Sequence, residues 1–315
     1  MREGKAKGSE LIIFDDGTLY HIDLKRTDNI PPNIFLVGAA ERVDTIAAHF
    51  DQVTFQNRNK ARPEFYIKVG TYKDLPVAVM STGIGSDNIE IVLNELHALF
   101  EYDHHKDTWD RDPARVNLIR VGTSGTSLPE IPVGTLAVSH YALGLDNLAA
   151  YYPSPQNEKT KQIERAFLDT AIGKVNPLSY AAQATPEVAN ALLNATRTLD
   201  EKKPTIISGI TTSSPGFFAP EGRSIGRIKS AISAEEFRRN IINFQYEDLK
   251  IVNHEMETGI LFRIGHEILG YRVGALCLIM DNLSTNEIID AAMTYERLER
   301  GICIALDAMA RLTHH

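Results

Sequence analysis

The chain has 315 residues, 43% hydrophobic and 23% charged, with a formal net charge of −8; this is an ordinary globular composition whose acidity argues against a broad nucleic-acid or acidic-membrane surface. No apolar run approaches the roughly 20 uncharged residues of a spanning helix, and the opening "MREGKAKGSE" lacks the apolar core of a secretory leader. The two cysteines, Cys277 and Cys303, lie in apolar runs without metal-ligand spacing, so buried thiols in a cytoplasmic, reducing setting are expected.

In chain order, "NIFLVG" (33–38) reads as a strand and 40–50 as a helix. "EFYIKVGTY" (64–72) and "LPVAVMSTG" (75–83) are further strands, followed by a helix over 86–101 and a polar surface excursion over 101–115. "VNLIRVGTSG" (116–125) and "VGTLAVS" (133–139) precede helices at 158–172 and 185–198. "PTIISGI" (204–210), a helix at 233–243, "LKIVNHE" (249–255), a helix at 255–270, "YRVGALCLIMD" (271–281) and a helix at 285–311 complete the pattern. Such alternation predicts an α/β fold with helices on both faces of a sheet. One domain over 1–315 is expected, its first 18 or so residues a leading segment, and the terminal "THH" is assigned no function.

Ligands of open α/β sheets collect at the carboxyl ends of strands, where glycine lets backbone approach and helix N-termini face anions. The polar residues after each apolar run are Gly38 and Arg42, Thr82 and Gly83, Arg120 and Thr123, Phe217 to Arg223, Glu255 to Glu257, and Asp281. Arg120 sits among apolar neighbours and needs an anion, either an internal carboxylate or a ligand. Thr123 and Ser124, flanked by Gly122 and Gly125, add donors that suit a phosphate oxygen. In "SPGFFAPEGR", Phe217 and Phe218 with Glu221 and Arg223 offer an aromatic face and hydrogen-bonding ends for a planar heterocycle, or else two core anchors and a solvated turn. A carboxylate at Glu255 or Glu257 suits a vicinal diol. Phosphate, heterocycle and diol together suggest a nucleoside.

"FLVGAAERV", "VMSTGIGSDNIEIVLNEL", "IRVGTSG", "GFFAPEGR" and "NHEMET" resemble, in order and spacing, the motifs of the nucleoside phosphorylase family, particularly its uridine phosphorylase branch. The resemblance implies a single-domain, three-layer α/β/α fold around a distorted mixed sheet and a pentosyltransferase that uses inorganic phosphate to release a free base and (deoxy)ribose 1-phosphate. It also implies a homodimer, or a hexamer built as a trimer of dimers, with active sites at the dimer interface. No organic cofactor is implied; nucleoside and phosphate are the ligands.

Residue by residue, the resemblance assigns Gly38, Arg42, Arg120 and Thr123 to phosphate, with Arg42 and Arg120 acting on the reacting phosphate. It assigns His21, reaching the neighbouring subunit's 5′ hydroxyl, with Met256 and Glu257, to ribose. Phe217, Glu221 and Arg223 fall to the base. Some members surround a monovalent cation, K+, near the positions of Glu64, Ile84 and Asn88, and Glu255 lies near that set.

Three departures mark this chain. Pro63 stands where the family has an interface arginine, so Arg62, one residue away, becomes the candidate phosphate contact. Glu221 replaces a glutamine that both donates and accepts; an ionised glutamate only accepts, and on paper it complements guanine with Arg223. Asp281 falls where purine-cleaving relatives carry a general acid, unless it caps a following helix. The overall motif set makes uridine-like nucleosides the expected substrates, and the departures at Glu221 and Asp281 make purine nucleosides (inosine, guanosine) the alternative. A nucleoside hydrolase on the same fold, and a non-catalytic nucleoside-binding protein, are further readings.

Overall fold

The computed structural model describes residues 8–195 and 205–313. Three residues of the expected helix 185–198 and the first of the strand 204–210 lie outside them. Two compact units emerge, Met1–Leu118 and Ile119–His315.

The first unit carries β1 (Asn33–Val37), α1 (Ala40–Ala47), β2 (Gln52–Arg58), β3 (Tyr66–Tyr72), β4 (Leu75–Ser81), α2 (Ser86–Glu101), and a small hairpin of β5 (Tyr102–Asp103) and β6 (Thr108–Trp109). β1 is buried at every residue and pairs in parallel with β4, which pairs antiparallel with β3. Lys73 and Asp74 join β3 to β4 with φ of 51° and 62°, the left-handed pair that a two-residue primed hairpin turn demands. β2 flanks β3 as a mostly exposed, polar strand, and its lack of an apolar run hid it from the sequence. Within the polar segment 101–115 the β5–β6 hairpin is tied to α2, because Trp109 of β6 stacks on His97 of α2 with ring centroids 4.7 Å apart.

The second unit opens with β7 (Asn117–Thr126), whose first two residues belong to the first unit, and β8 (Leu136–Gly144). α3 (Glu158–Leu168), α4 (Ala171–Val175), β9 (Tyr180–Gln183) and α5 (Pro186–Ala195) follow. Then come β10 (Ile206–Ser213), α6 (Ala234–Asn243), β11 (Gln245–Tyr246) and β12 (Leu249–Glu255). α7 (Thr258–Ile260) runs on as a π-helical segment (Leu261–Ile268), and β13 (Arg272–Asn282), β14 (Glu287–Ile288) and α8 (Ala291–Thr313) end the chain.

Local chemistry explains where these helices depart from the periodic pattern. The expected helix 158–172 breaks because the Thr170 hydroxyl caps a new helix, accepting from Gly173 N at 3.1 Å. Helix 285–311 starts late because Asn282 Oδ1 accepts from Ser284 N and Thr285 N at 2.9 and 3.2 Å, holding a turn into β14. Asp290 then starts α8 by accepting from Met293 N at 2.8 Å.

In the second unit the strands form a mixed sheet, as expected. β12–β10 and β10–β8 are parallel and β8–β13 antiparallel; β13 neighbours β7, which meets β12 again through an antiparallel bridge between His254 and Gly125. Those five strands therefore close on themselves. β10 slips register at Gly209/Ile210 against β8 and at Ile210/Thr211 against β12, the bulges that give the sheet its distortion. Buried hydroxyl bonds stitch the slipped strands together: Ser139 Oγ lies 2.6 Å from Thr211 Oγ1, which reaches Asn253 Oδ1 at 2.7 Å. Around this frame Ile163, Phe167, Phe237, Ile241 and Ile251 form one apolar cluster. Burying each such side chain is worth about 1.5–3 kcal/mol. The cluster fixes β10 and β12, whose carboxyl ends carry the polar residues of interest.

Candidate active site

The bridge between His254 and Gly125 brings β7 beside the carboxyl end of β12, and so places Arg120 among the glutamates of "NHEMET". Arg120 is 3% exposed. Its Nε lies 3.2 Å from Glu255 Oε2, and its Nη2 donates to Glu257 Oε2. Burial opposes the arginine's charge, but Glu257 and Glu255 outweigh it and hold its pKa above the ordinary value. Nη1 is buried and has no hydrogen-bond partner among the described residues.

Glu255 also shapes the backbone. Its carboxylate accepts from Glu257 N at 3.1 Å and from Thr258 N at 2.9 Å, which pins the start of α7, the loop-supporting part expected of it. Burial pushes its carboxyl up to about 7, against the pull of Arg120 and with the repulsion of Glu257. Three buried charges of which two are negative leave one carboxylate in excess, and a proton on Glu255 relieves it.

A second cluster forms on the other side of β12. Glu221 Oε2 lies 2.9 Å from Arg223 Nη2 and 3.5 Å from His254 Nδ1, and Arg223 Nη2 lies 3.4 Å from Asp281 Oδ2. The Arg223 guanidinium carbon stands 4.0 Å from the centroid of the Phe217 ring. Phe217 and Phe218 meet edge to face and are 48% and 52% exposed, so they do not anchor a core. Nor does Asp281 cap a helix, because the turn after β13 is held by Asn282. Burial raises the Asp281 carboxyl above its ordinary value against the pull of His254 and Arg223.

Residues 33–312 match the family model of the Phosphorylase superfamily. The chain belongs to that superfamily. It is 28% identical over 278 residues to a uridine phosphorylase of Thermococcus kodakarensis, covering 87% of this chain and 80% of the relative. It is 25% identical over 297 residues to a Haemophilus influenzae uridine phosphorylase, covering 93% of this chain and 98% of the relative. A crystal structure of a Trypanosoma brucei nucleoside phosphorylase, described as showing uridine phosphorylase activity, superposes with a TM-score of 0.88 at 28% identity, over 96% of this chain and 99% of that one. Membership makes the chain an enzyme of the pentosyltransferase kind, as the resemblance implied.

Of the superfamily residues expected from the sequence, Arg120, Glu257, Phe217, Glu221, Arg223 and Asp281 fall into the two clusters above; Thr123 and Met256 are half-buried beside them in sequence. The rest lie on the first unit. Gly38 directly follows β1, and Arg42 stands in the first turn of α1, whose cap residue Ala39 offers no side-chain acceptor. His21 commits Nδ1 to Glu95, 2.6 Å away, and Glu95 also accepts from the amides of His21 and Ile22. Arg62 lies 4.1 Å above the Tyr20 ring, in a turn where Arg58 Nε donates to the Pro63 carbonyl at 3.0 Å. Asn88 donates to the Ile84 carbonyl at 3.2 Å, and the Ser81 hydroxyl donates to the Glu64 carbonyl at 2.5 Å. No group of three or more His, Cys, Asp or Glu suited to a metal occurs among the described residues. None of their helices is long and apolar enough to cross a membrane.

Sequence reasoning passed over His254, which links Glu221 to the strand crossing. Its signal was a histidine two residues after the apolar pair Ile251 and Val252 and next to the glutamates of "NHEMET".

Proposed function

We propose that this chain cleaves the N-glycosidic bond of a uridine-like nucleoside with inorganic phosphate, giving free base and (deoxy)ribose 1-phosphate. The observation that carries the reading is the unpartnered Nη1 of buried Arg120. A guanidinium already bound by two carboxylates keeps one donor for an oxyanion, and hydrogen phosphate is the oxyanion that attacks C1′ as the bond to the base breaks. A C1′–O bond forms, the C1′–N bond breaks, and the proton that phosphate sheds ends on the base. Glu257 accepts from the ribose 2′ and 3′ hydroxyls, Phe217 stacks on the base, and Arg223 donates to a base carbonyl. The named activities of the Thermococcus, Haemophilus and Trypanosoma relatives support the uridine assignment.

Gly38, Arg42, Arg62 and Thr123 as phosphate ligands, His21 and Met256 at ribose, and K+ near Glu64, Ile84 and Asn88 stand as proposals on the resemblance alone. So do a homodimeric or hexameric assembly, which sedimentation measures, and a cytoplasmic setting. One observation favours purine nucleosides as a second reading: Asp281, raised by burial and not used as a helix cap, has the character of a general acid for a purine leaving group. Base release from uridine, thymidine, inosine and guanosine, with and without phosphate, tests both. Phosphate-dependent release is expected, fastest from uridine or thymidine. Equal rates without phosphate, with ribose as the sugar product, would replace the reading with a hydrolase.

A further inference from the structure

Glu221 and His254 are each 2% exposed, and they face one another across 3.5 Å between Glu221 Oε2 and His254 Nδ1. Among the described residues, three buried polar atoms of this cluster have no hydrogen-bond partner: Glu221 Oε2, Arg223 Nε and His254 Nε2. The carboxylate oxygen thus sits near two cationic or donor groups without an aligned bond to either. A buried acceptor left open beside an open donor is costly unless something fills both. The exposed Phe217 ring, with Arg223 over it, adds a flat apolar face at the same place.

We propose that His254 is a positioning residue that sets base specificity through Glu221, so that the site selects bases with a ring N–H next to a carbonyl and rejects bases whose ring nitrogen at that place is an acceptor. This rests on the nucleoside reading above and deepens it. A proton on His254 Nδ1 makes its contact with Glu221 a donor–acceptor pair, so that the imidazole and Arg223 flank the carboxylate with donors 3.5 and 2.9 Å from Oε2. An ionised carboxylate only accepts, so it pairs with N–H and repels a lone pair. Arg223 only donates, so it pairs with the adjacent carbonyl. Acceptor and donor side by side match the lactam edge of uracil, thymine or hypoxanthine. Cytosine N3 and adenine N1 turn a lone pair toward Glu221 and are excluded. Glu221 is on this account the uracil N3–H acceptor. The His254 imidazole fills the space beside Gly125 that a side chain would need, since an added Cβ would come 2.4 Å from His254 Cε1 and 2.7 Å from Asp281 Oδ1, so a glycine at 125 is what leaves the ring its place.

The test uses the full chain, with uridine, cytidine and 3-methyluridine read by calorimetric binding and by phosphate-dependent base release. The wild-type protein is expected to favour uridine over both others by about 100-fold or more, the scale at which a site with an unpaired buried polar group rejects a ligand. His254→Phe is expected to raise the uridine KM about tenfold with kcat within about threefold, since it loses a supporting donor beside Glu221 and no reacting group. His254→Asn, which keeps a donor near Nδ1, is expected to restore most of the selectivity. In the double variant with Glu221→Ala, His254→Phe is expected to add nothing to the loss from Glu221→Ala alone. Equal affinity of the wild-type protein for uridine and 3-methyluridine overturns the proposal without any variant, and so do additive losses in the double variant. Selective binding of uridine without turnover would sustain the recognition and overturn only the phosphorolytic reading; no binding of any nucleoside would overturn both.

Discussion

Arg120 Nε stands 3.2 Å from Glu255 Oε2 while Nη2 of the same guanidinium contacts Glu257, so one buried cation is shared by two carboxylates two residues apart in the chain. The pair is not redundant, because Glu255 also binds two backbone amides and has its carboxyl pushed up to about 7.

That raised value predicts a pH dependence of stability. A carboxyl whose folded pKa of about 7 exceeds its reference of 4.5 binds its proton more tightly in the folded state. Its contribution is fully present below pH 4.5 and is lost as pH rises through about 7. The loss is on the order of 1–3 kcal/mol, at 1.36 kcal/mol per unit and reduced for the coupling to Glu257. Glu255→Gln is expected to flatten the urea-denaturation stability between pH 5 and 8 relative to wild type; an unchanged slope would place the proton elsewhere.

Replacing Arg120 by lysine keeps a charge but loses the planar fork that reaches both carboxylates and leaves Nη1 open. Glu255 and Glu257 then compete for one point charge in a buried site. Arg120→Lys is expected to destabilise by about 2–4 kcal/mol and to raise the phosphate KM at least about tenfold, with binding of the base little changed. Denaturant midpoints and KM values for phosphate and nucleoside, measured together, separate the two effects. A rise in nucleoside KM alone would remove phosphate from this arginine.

Phe217 separates folding from function, because its ring is 48% exposed and packs on Phe218 and Arg223. Phe217→Ala is expected to shift stability by no more than about 0.5 kcal/mol. Stacking on a base is worth about 1–3 kcal/mol, so the nucleoside KM is expected to rise about 5- to 100-fold with the phosphate KM unchanged. A large drop in melting temperature would return Phe217 to a structural role.

Strands made of continuous apolar runs were legible from the sequence: β1, β4, β12 and β13 lie within a residue or two of the runs that announced them. β2 was not, since "QVTFQNR" is an exposed strand whose pairing with β3, rather than its own burial, makes it a strand. The start of α8 was missed because Asn282 and Asp290 divert the chain by side-chain bonds that helical periodicity does not register. Within the site, Arg120 announced its need for an anion by standing in an apolar run, but not that Glu255 and Glu257 both meet it. That meeting depends on a bridge between His254 and Gly125, residues far apart in the chain, which no local pattern encodes. For the same reason His254 passed unremarked while the glutamates beside it drew attention.

The bridge itself can be tested at its glycine. Gly125 lies in β7 opposite His254, and a methyl there would fall 2.4 Å from His254 Cε1, 2.7 Å from Asp281 Oδ1 and 3.1 Å from His254 Nδ1. The first two separations are well inside contact distance, and both neighbours belong to short, packed side chains, so either the imidazole rotates away from Glu221 or β7 and β12 part. Gly125→Ala is expected to cost about 1–3 kcal/mol of stability and to loosen the discrimination between uridine and cytidine, because the displaced His254 no longer holds the carboxylate. Gly122 offers the comparison, since its added methyl would meet Cys277 Sγ at 2.8 Å and Arg120 Nη2 at 3.2 Å, on the phosphate side of β12. Gly122→Ala is therefore expected to raise the phosphate KM and leave base discrimination intact. Should the two alanine variants change the same kinetic parameter, the two clusters that flank β12 are one functional unit and not two.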